Sequence, residues 1–291
     1  MTRDDIVAGA RDAIRNGSKS FRAASRLFDR TTRERAWMLY AWCRHCDDVC
    51  DGQVFGFGRG AGGDVAALRE KTHRAIAGEE LEELPFRALA QLHCERPIPE
   101  RFLDDHLKGF ELDQDNWQPA DEQELIRYCY YVAGAVGCMM AIVMGVPADD
   151  EATLGHAADL GIAFQLSNIA RDIREDHEAG RYYIPADWLD ALGVEPGALF
   201  EPQNSEALST VARRLVERVE RYEASARLGV GRLPFRSRLA VLSALRIYGA
   251  IGRRVAELGS DAWNERVTIG KARKLAFVVP SFAEALAAGR R

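Results

Sequence analysis

The sequence predicts an all-α fold, and three observations carry that expectation. Apolar residues recur every three to four positions through long stretches, no sustained alternation of apolar and polar residues occurs, and Gly, Pro or Asn punctuates the helical stretches. At 291 residues and 47% hydrophobic content the chain can bury a sizeable core, and without an internal repeat a single domain over residues 1–291 is expected.

Residues 2–28 read as helix broken by a turn at Asn16 and Gly17, with a second helix from about Ser18. Ser18 serves as an N-cap there, and Lys19, Phe21 and Arg22 put cations and an aromatic at a helix start, a place that suits an anion. Thr31 or Thr32 is expected to cap the next helix, which runs to Asp51 and Gly52. Five glycines in residues 53–63 suggest a loop that closes over a site; with no strand before it and no Gly-Lys-Ser/Thr after it, it is not a phosphate loop. Helices follow at about residues 65–77, 85–94 and 99–113. Asp113 and Asp115 resemble the start of a calcium loop, but the glycine and glutamate of that loop's sixth and twelfth positions are missing.

Residues 128–148 contain no charge and approach the length of a bilayer span. Three tyrosines, several glycines, Pro147 and flanks without a polybasic anchor favour a helix buried at the centre of the domain. Its glycines and alanines would let a neighbouring backbone or a long apolar ligand come close. Helices at about 150–176, 206–229, 234–258 and 271–288 complete the chain, the last interrupted at Pro280 and the first followed by a turn at residues 180–185.

A net charge of −5 and a pI near 5.8 argue against nucleic acid and leave small molecules or metals as partners. No signal peptide precedes the six cysteines, so reduced thiols in a cytoplasmic protein are expected. Cys43, Cys46 and Cys50 lack a fourth soft ligand and suit helix packing better than zinc.

Two helical stripes carry the chemistry. Tyr40, Arg44, Asp47 and Asp51 are spaced 4, 3 and 4 apart and fall within about 60° of one another, with Asp48 beside them. Gly161, Gln165, Asn168 and Asp172 repeat that spacing, and Asp176 adds a turn. Gln165 and Asn168 sit among Ile162, Phe164, Leu166 and Ile169, where polar groups require partners. Such stripes, facing one another, can hold magnesium against a diphosphate, with Lys19, Arg22, Arg44, Arg171, Arg181, Arg266 and Lys271 available for the remaining anionic oxygens. An allylic diphosphate could then ionise to a carbocation, kept dry among aromatic faces.

Residues 40–51 (YAWCRHCDDVCD), 168–176 (NIARDIRED) and 180–185 (GRYYIP), with Ser18, Lys19, Ser20 and Phe21 upstream, resemble the squalene/phytoene synthase family, and within it the bacterial phytoene synthases most. The resemblance runs from about residue 16 to 275 and rests on several motifs in the correct order. It implies a class I prenyl-transferase fold with a central apolar cavity. It also implies head-to-head condensation of two geranylgeranyl diphosphates through prephytoene diphosphate to phytoene, for carotenoid biosynthesis, with Mg2+ or alternatively Mn2+ and without NADPH.

Position by position, Asp47, Asp48 and Asp51 match the first metal motif, and Asn168, Asp172 and Asp176 the second. Tyr40, Arg44, Gln165 and Arg171 match positions lining the diphosphate, Lys19, Phe21, Arg22, Tyr248, Arg266 and Lys271 extend the substrate site, and Asp113 approaches the metals from its own helix. Cys50 and Gly52 replace an aliphatic and an acidic residue found in many relatives, without removing a proposed ligand. The alternatives are a dehydrosqualene- or squalene-type synthase using farnesyl diphosphate, another class I terpene or head-to-tail prenyl synthase, and a non-catalytic lipid-binding protein. An oily C40 product makes peripheral association with the inner membrane, and transfer to downstream carotenoid enzymes, reasonable expectations.

Overall fold

A computed structural model describes residues 1–17, 19–50, 63–114 and 117–289, with only the backbone described at 19, 20 and 23. These residues form helices and no strand. The α-helices are α1 (Arg3–Gly17), α2 (Lys19–Ser25), α3 (Arg30–Cys50), α4 (Val65–Ile76), α5 (Leu84–Glu95), α6 (Glu100–Gln114), α7 (Glu122–Cys129), α8 (Ala135–Val143), α9 (Glu151–Glu178), α10 (Ala186–Asp190), α11 (Ser205–Gly229), α12 (Phe235–Leu258) and α13 (Lys271–Ala288).

Short acidic side chains start several of them. Asp64, Asp121 and Asp150 accept from the amides of Ala66, Glu124 and Thr153 at 2.8, 2.9 and 3.1 Å. The cap of α3 is Asp29, which accepts from the Thr32 amide at 3.0 Å and the Thr32 hydroxyl at 2.7 Å. Neither threonine has the capping role expected of it, because the carboxylate one turn earlier captures the free amide. The short α10, between the turn at residues 180–185 and the helix that follows at Ser205, is added by the structure.

One apolar cluster joins α1, α3, α5, α6 and α8 around Trp42, Phe86, Leu89, Leu103 and Met139. A second joins α9, α11 and α12 around Leu166, Leu215, Val255 and Trp263. The buried indoles of Trp42 and Trp263 donate to Thr72 Oγ1 and the Ala170 carbonyl, both at 3.1 Å. Cys43, Cys46, Cys94, Cys129 and Cys138 are free thiols.

The uncharged stretch begins in the last two residues of α7 and continues through a π-helical turn at Tyr130–Gly134 and α8. By length and composition Glu122–Val143 could cross a membrane, yet it packs between α6 and α9 and contributes Cys138, Met139, Ala141 and Val143 to the core. Two glycines permit the contact with α9. A Cβ on Gly161 would lie 2.1 Å from the Ala133 carbonyl oxygen, and one on Gly137 would lie 2.2 Å from that of Ala157. The expected close backbone approach is therefore present.

The last helix does not break at Pro280 but runs through it. Pro280 and Ala276 are both exposed, so the carbonyl left without an amide donor faces solvent and the interruption costs less than it would in the core.

Candidate functional site

At the C-terminal end of α3, Arg44 grips Asp48 most closely, with Nε and NH2 at 3.0 and 2.5 Å from Oδ1. Its NH1 is 3.7 Å from Asp47. Sequence spacing had put Arg44 with Asp47 and Asp48 to one side; in the structure the i,i+4 pair is the tight one and Asp47 is the more open carboxylate. Asp51 lies outside the described residues, as do Ser18, Asp115, Asn116, the Lys19 side chain and loop residues 51–62. The base of that loop is described: the Gly63 amide donates to the Val49 carbonyl at 2.7 Å, and Gln114 Nε2 donates to the Gly63 carbonyl at 2.6 Å.

Tyr40 lies one turn before Arg44, half-buried, with its ring 5.5 Å from that of Phe21 on α2. Burial pushes its hydroxyl up to about 12, partly countered by Arg44. Arg22 is half-buried on α2, its carbonyl accepting from the Ser25 hydroxyl at 3.0 Å.

On α9 the second acidic stripe meets two arginines. Arg171 forks its neighbour Asp172, with Nε 2.7 Å from Oδ1 and NH2 on Oδ2. Arg266, following α12, donates to the same carboxylate at 2.9–3.1 Å. Asp172 is thus not the exposed carboxylate that a surface stripe suggests; its side chain is 18% exposed and doubly ion-paired. Arg181 NH2 lies 3.7 Å from Asp176. Burial pushes the Asp176 carboxyl up to about 7; Arg181 opposes this, and the negative charges of Asp172, Glu175 and Asp113 add to it. Gln165 and Asn168 are half-buried on the same stripe, the Asn168 amide reaching Gln165 Oε1 at 3.5 Å. Phe164 stacks on Tyr248 of α12 with centroids 4.1 Å apart; burial pushes the Tyr248 hydroxyl up, and the charge of Arg171 opposes this. Lys271 is exposed at the first position of α13.

Asp113, near the end of α6, is better integrated than its sequence context suggests. It accepts from the Tyr128 hydroxyl at 3.0 and 3.1 Å and from the Tyr183 hydroxyl at 2.8 Å, and the two rings stack with centroids 5.0 Å apart. Tyr183 belongs to the GRYYIP turn, which starts at Gly180 with φ +74° and whose Arg181 amide donates to the Asp176 carbonyl at 2.8 Å. The turn therefore ties α9 to α6. Neither tyrosine is picked out by helical spacing; the signal for Tyr183 was the motif itself.

Helices α3 and α9 are not among the closely packed pairs, whereas α8 packs on both. The candidate ligands are all carboxylate or amide oxygens, crowded by burial at Asp176, a donor set that fits a hard divalent cation such as magnesium. A separate group, His73 with Glu100 and Asp104, lies on the seam of α4 and α6, nine residues before Asp113.

The described residues, all helical and with an acidic stripe on each of α3 and α9, have the class I isoprenoid synthase fold, and known proteins share it. A crystal structure described as a dehydrosqualene synthase in complex with ligand superposes with a TM-score of 0.84 at 26% identity, covering 98% of each chain. The family model for squalene/phytoene synthase matches residues 14–273, and the chain belongs to that family. Two relatives are named 15-cis-phytoene synthase. The one from Pantoea ananas is 42% identical, covering 100% of this chain and 96% of its own; that from Enterobacter agglomerans is 46% identical, covering 93% and 92%.

Proposed function

We propose that the protein condenses two geranylgeranyl diphosphates head to head into phytoene, as a step of carotenoid biosynthesis, in one domain that spans the chain. The carrying observation in the structure is the convergence of Arg171 and Arg266 on Asp172, next to the crowded Asp176. Two cations held at an acidic cluster are set to transfer to the oxygens of a bound diphosphate. The near full-length likeness to proteins named phytoene synthase favours the C20 substrate.

Asp47, Asp48, Asp51, Asn168, Asp172 and Asp176 are the residues to hold magnesium, with manganese as an alternative and Asp113 as a neighbouring charge. The bound metal supplies neutralisation of the leaving diphosphate. Arg44, Arg171, Arg181 and Arg266, with Lys19, Arg22 and Lys271, orient the diphosphates and take up their charge. As the allylic C–O bond of one substrate breaks, the pyrophosphate leaves with the bonding electrons. C1 of the ionised substrate is then attacked by the double bond of the other, and loss of a proton closes the cyclopropane of prephytoene diphosphate. A second ionisation, rearrangement and proton loss give phytoene, with no change in overall redox state and so no NADPH. The faces of Phe21, Tyr40, Phe164 and Tyr248 border the acidic stripes and suit a cation of this kind. The insoluble product makes work at a membrane surface, and hand-over to downstream carotenoid enzymes, part of the same proposal.

The test is incubation of purified protein with geranylgeranyl diphosphate and Mg2+, with and without EDTA, and identification of the hydrocarbon. A C40 hydrocarbon with a conjugated triene at its centre that disappears with EDTA is expected. Exclusive use of farnesyl diphosphate, or chain elongation on adding isopentenyl diphosphate, would overturn the assignment.

A further inference from the structure

Large apolar side chains exposed to solvent are concentrated in one place. Of the six among the described residues, four lie on α13, at Leu275, Val279, Phe282 and Leu286, and a fifth is Leu228 at the end of α11. The α13 set is spaced 4, 3 and 4 apart, a stripe about 60° wide along three turns. Leu275 and Val279 are 72% and 73% exposed. From Leu275 to Ala287 every exposed position of this helix is Leu, Ala, Val, Pro or Phe, so its outward face carries no polar side chain beyond Arg273. An ordinary surface helix places charge outward; this one does the reverse.

The helix is firmly mounted. The buried Arg238 donates to the carbonyls of Ala285 on α13, Gly231 and Leu233 at 2.7, 3.0 and 2.8 Å, stapling its C-terminal half to the start of α12. Phe282 also meets Phe235 edge-on, at 5.4 Å between centroids. Charge surrounds the apolar face selectively. Exposed Lys271 and Arg273 stand at one end. Exposed Arg232 lies toward the other, next to Gly231, which approaches the Ala288 carbonyl. The helix's one acid, Glu284, is taken up by Arg227 and Arg246. A chain of net charge −5 thus carries a basic rim at the two ends of an apolar stripe.

We infer that the outward face of α13 docks the enzyme on an anionic lipid surface, its leucines, valine and phenylalanine entering the acyl boundary and its basic rim meeting the headgroups. Charge complementarity selects this occupant: a second copy would bring like-charged rims together, whereas anionic lipid neutralises them. The inference rests on the peripheral membrane association proposed above and specifies the surface that performs it.

The experiment is co-sedimentation of the full chain with vesicles of phosphatidylglycerol and phosphatidylcholine, against phosphatidylcholine alone, for wild type, L275E/V279E and R273E. Wild type should bind the anionic vesicles preferentially and less at high salt. The double variant should bind at least tenfold more weakly, R273E roughly tenfold more weakly, and both should keep wild-type circular dichroism and turn over detergent-dispersed substrate within about twofold of wild type. Equal vesicle binding by wild type and both variants would overturn the α13 assignment while leaving membrane association intact. No vesicle binding by wild type would remove the association itself. A wild-type dimer dissociated by L275E/V279E, with vesicle binding unchanged, would make this face an interface between copies and overturn the lipid assignment.

Discussion

Tyr183 donates its hydroxyl to Asp113 at 2.8 Å across 70 residues of sequence, joining the turn after α9 to the end of α6. The bond gives the GRYYIP motif a physical role, because it holds a carboxylate near Asp176 in place. Replacing Tyr183 with Phe keeps the stack on Tyr128 and removes one donor. A loss of about 1 kcal/mol is expected, together with a turnover reduced about tenfold and a higher Mg2+ requirement. Thermal unfolding and a Mg2+ titration of turnover check both, and an unchanged titration would remove Asp113 from the site.

Asp172→Asn is expected to lower turnover by at least a thousandfold while far-ultraviolet circular dichroism stays that of a helical protein. The substitution leaves Arg171 and Arg266 without their shared carboxylate, so a stability loss of about 1–2 kcal/mol is expected rather than none. Arg266→Lys, which keeps the charge and loses the fork, should recover part of the activity lost in Arg266→Ala. Equal activity in the Lys and Ala variants would show that the planar fork is irrelevant.

The approach of α9 to α8 predicts opposite outcomes for two glycines of the same helix. Gly161→Ala puts a Cβ 2.1 Å from the Ala133 carbonyl oxygen, where backbone must move, and should cost about 1–3 kcal/mol or more. Gly155→Ala meets nothing within 4 Å and should gain roughly 0.5–1 kcal/mol from helix propensity. Denaturant midpoints of both variants measure this directly.

Glu95 links three helices, accepting from Arg3 at 2.6 Å, Arg35 at 2.9 Å and Gln91 at 2.9 Å. Burial alone would raise its pKa, but these donors prevail and hold it down to about 2. A folded pKa below the unfolded value means that the stabilisation is present above pH about 4.5 and is lost as pH falls toward 2. Glu95→Gln should therefore be about 1–3 kcal/mol less stable than wild type near neutrality, with the gap closing at acid pH. A gap that stays constant from pH 7 to pH 3 would refute this.

Helix boundaries were legible to within a few residues because apolar periodicity is local, and the acidic stripes were legible for the same reason: residues four apart share a face wherever the helix goes. Local chemistry misled at the start of α3, where Asp29 outcompetes the threonines, and at Pro280, whose exposure decides that α13 continues. Sequence alone thus determined an all-α chain bearing two carboxylate stripes and the motifs of a known family. Only the tertiary structure decided that Arg266 reaches back 94 residues to Asp172, that Tyr128 and Tyr183 share Asp113, and that α13 turns an apolar face outward. Those relationships depend on which helices become neighbours, a result of the whole core's packing that no periodicity within one segment encodes.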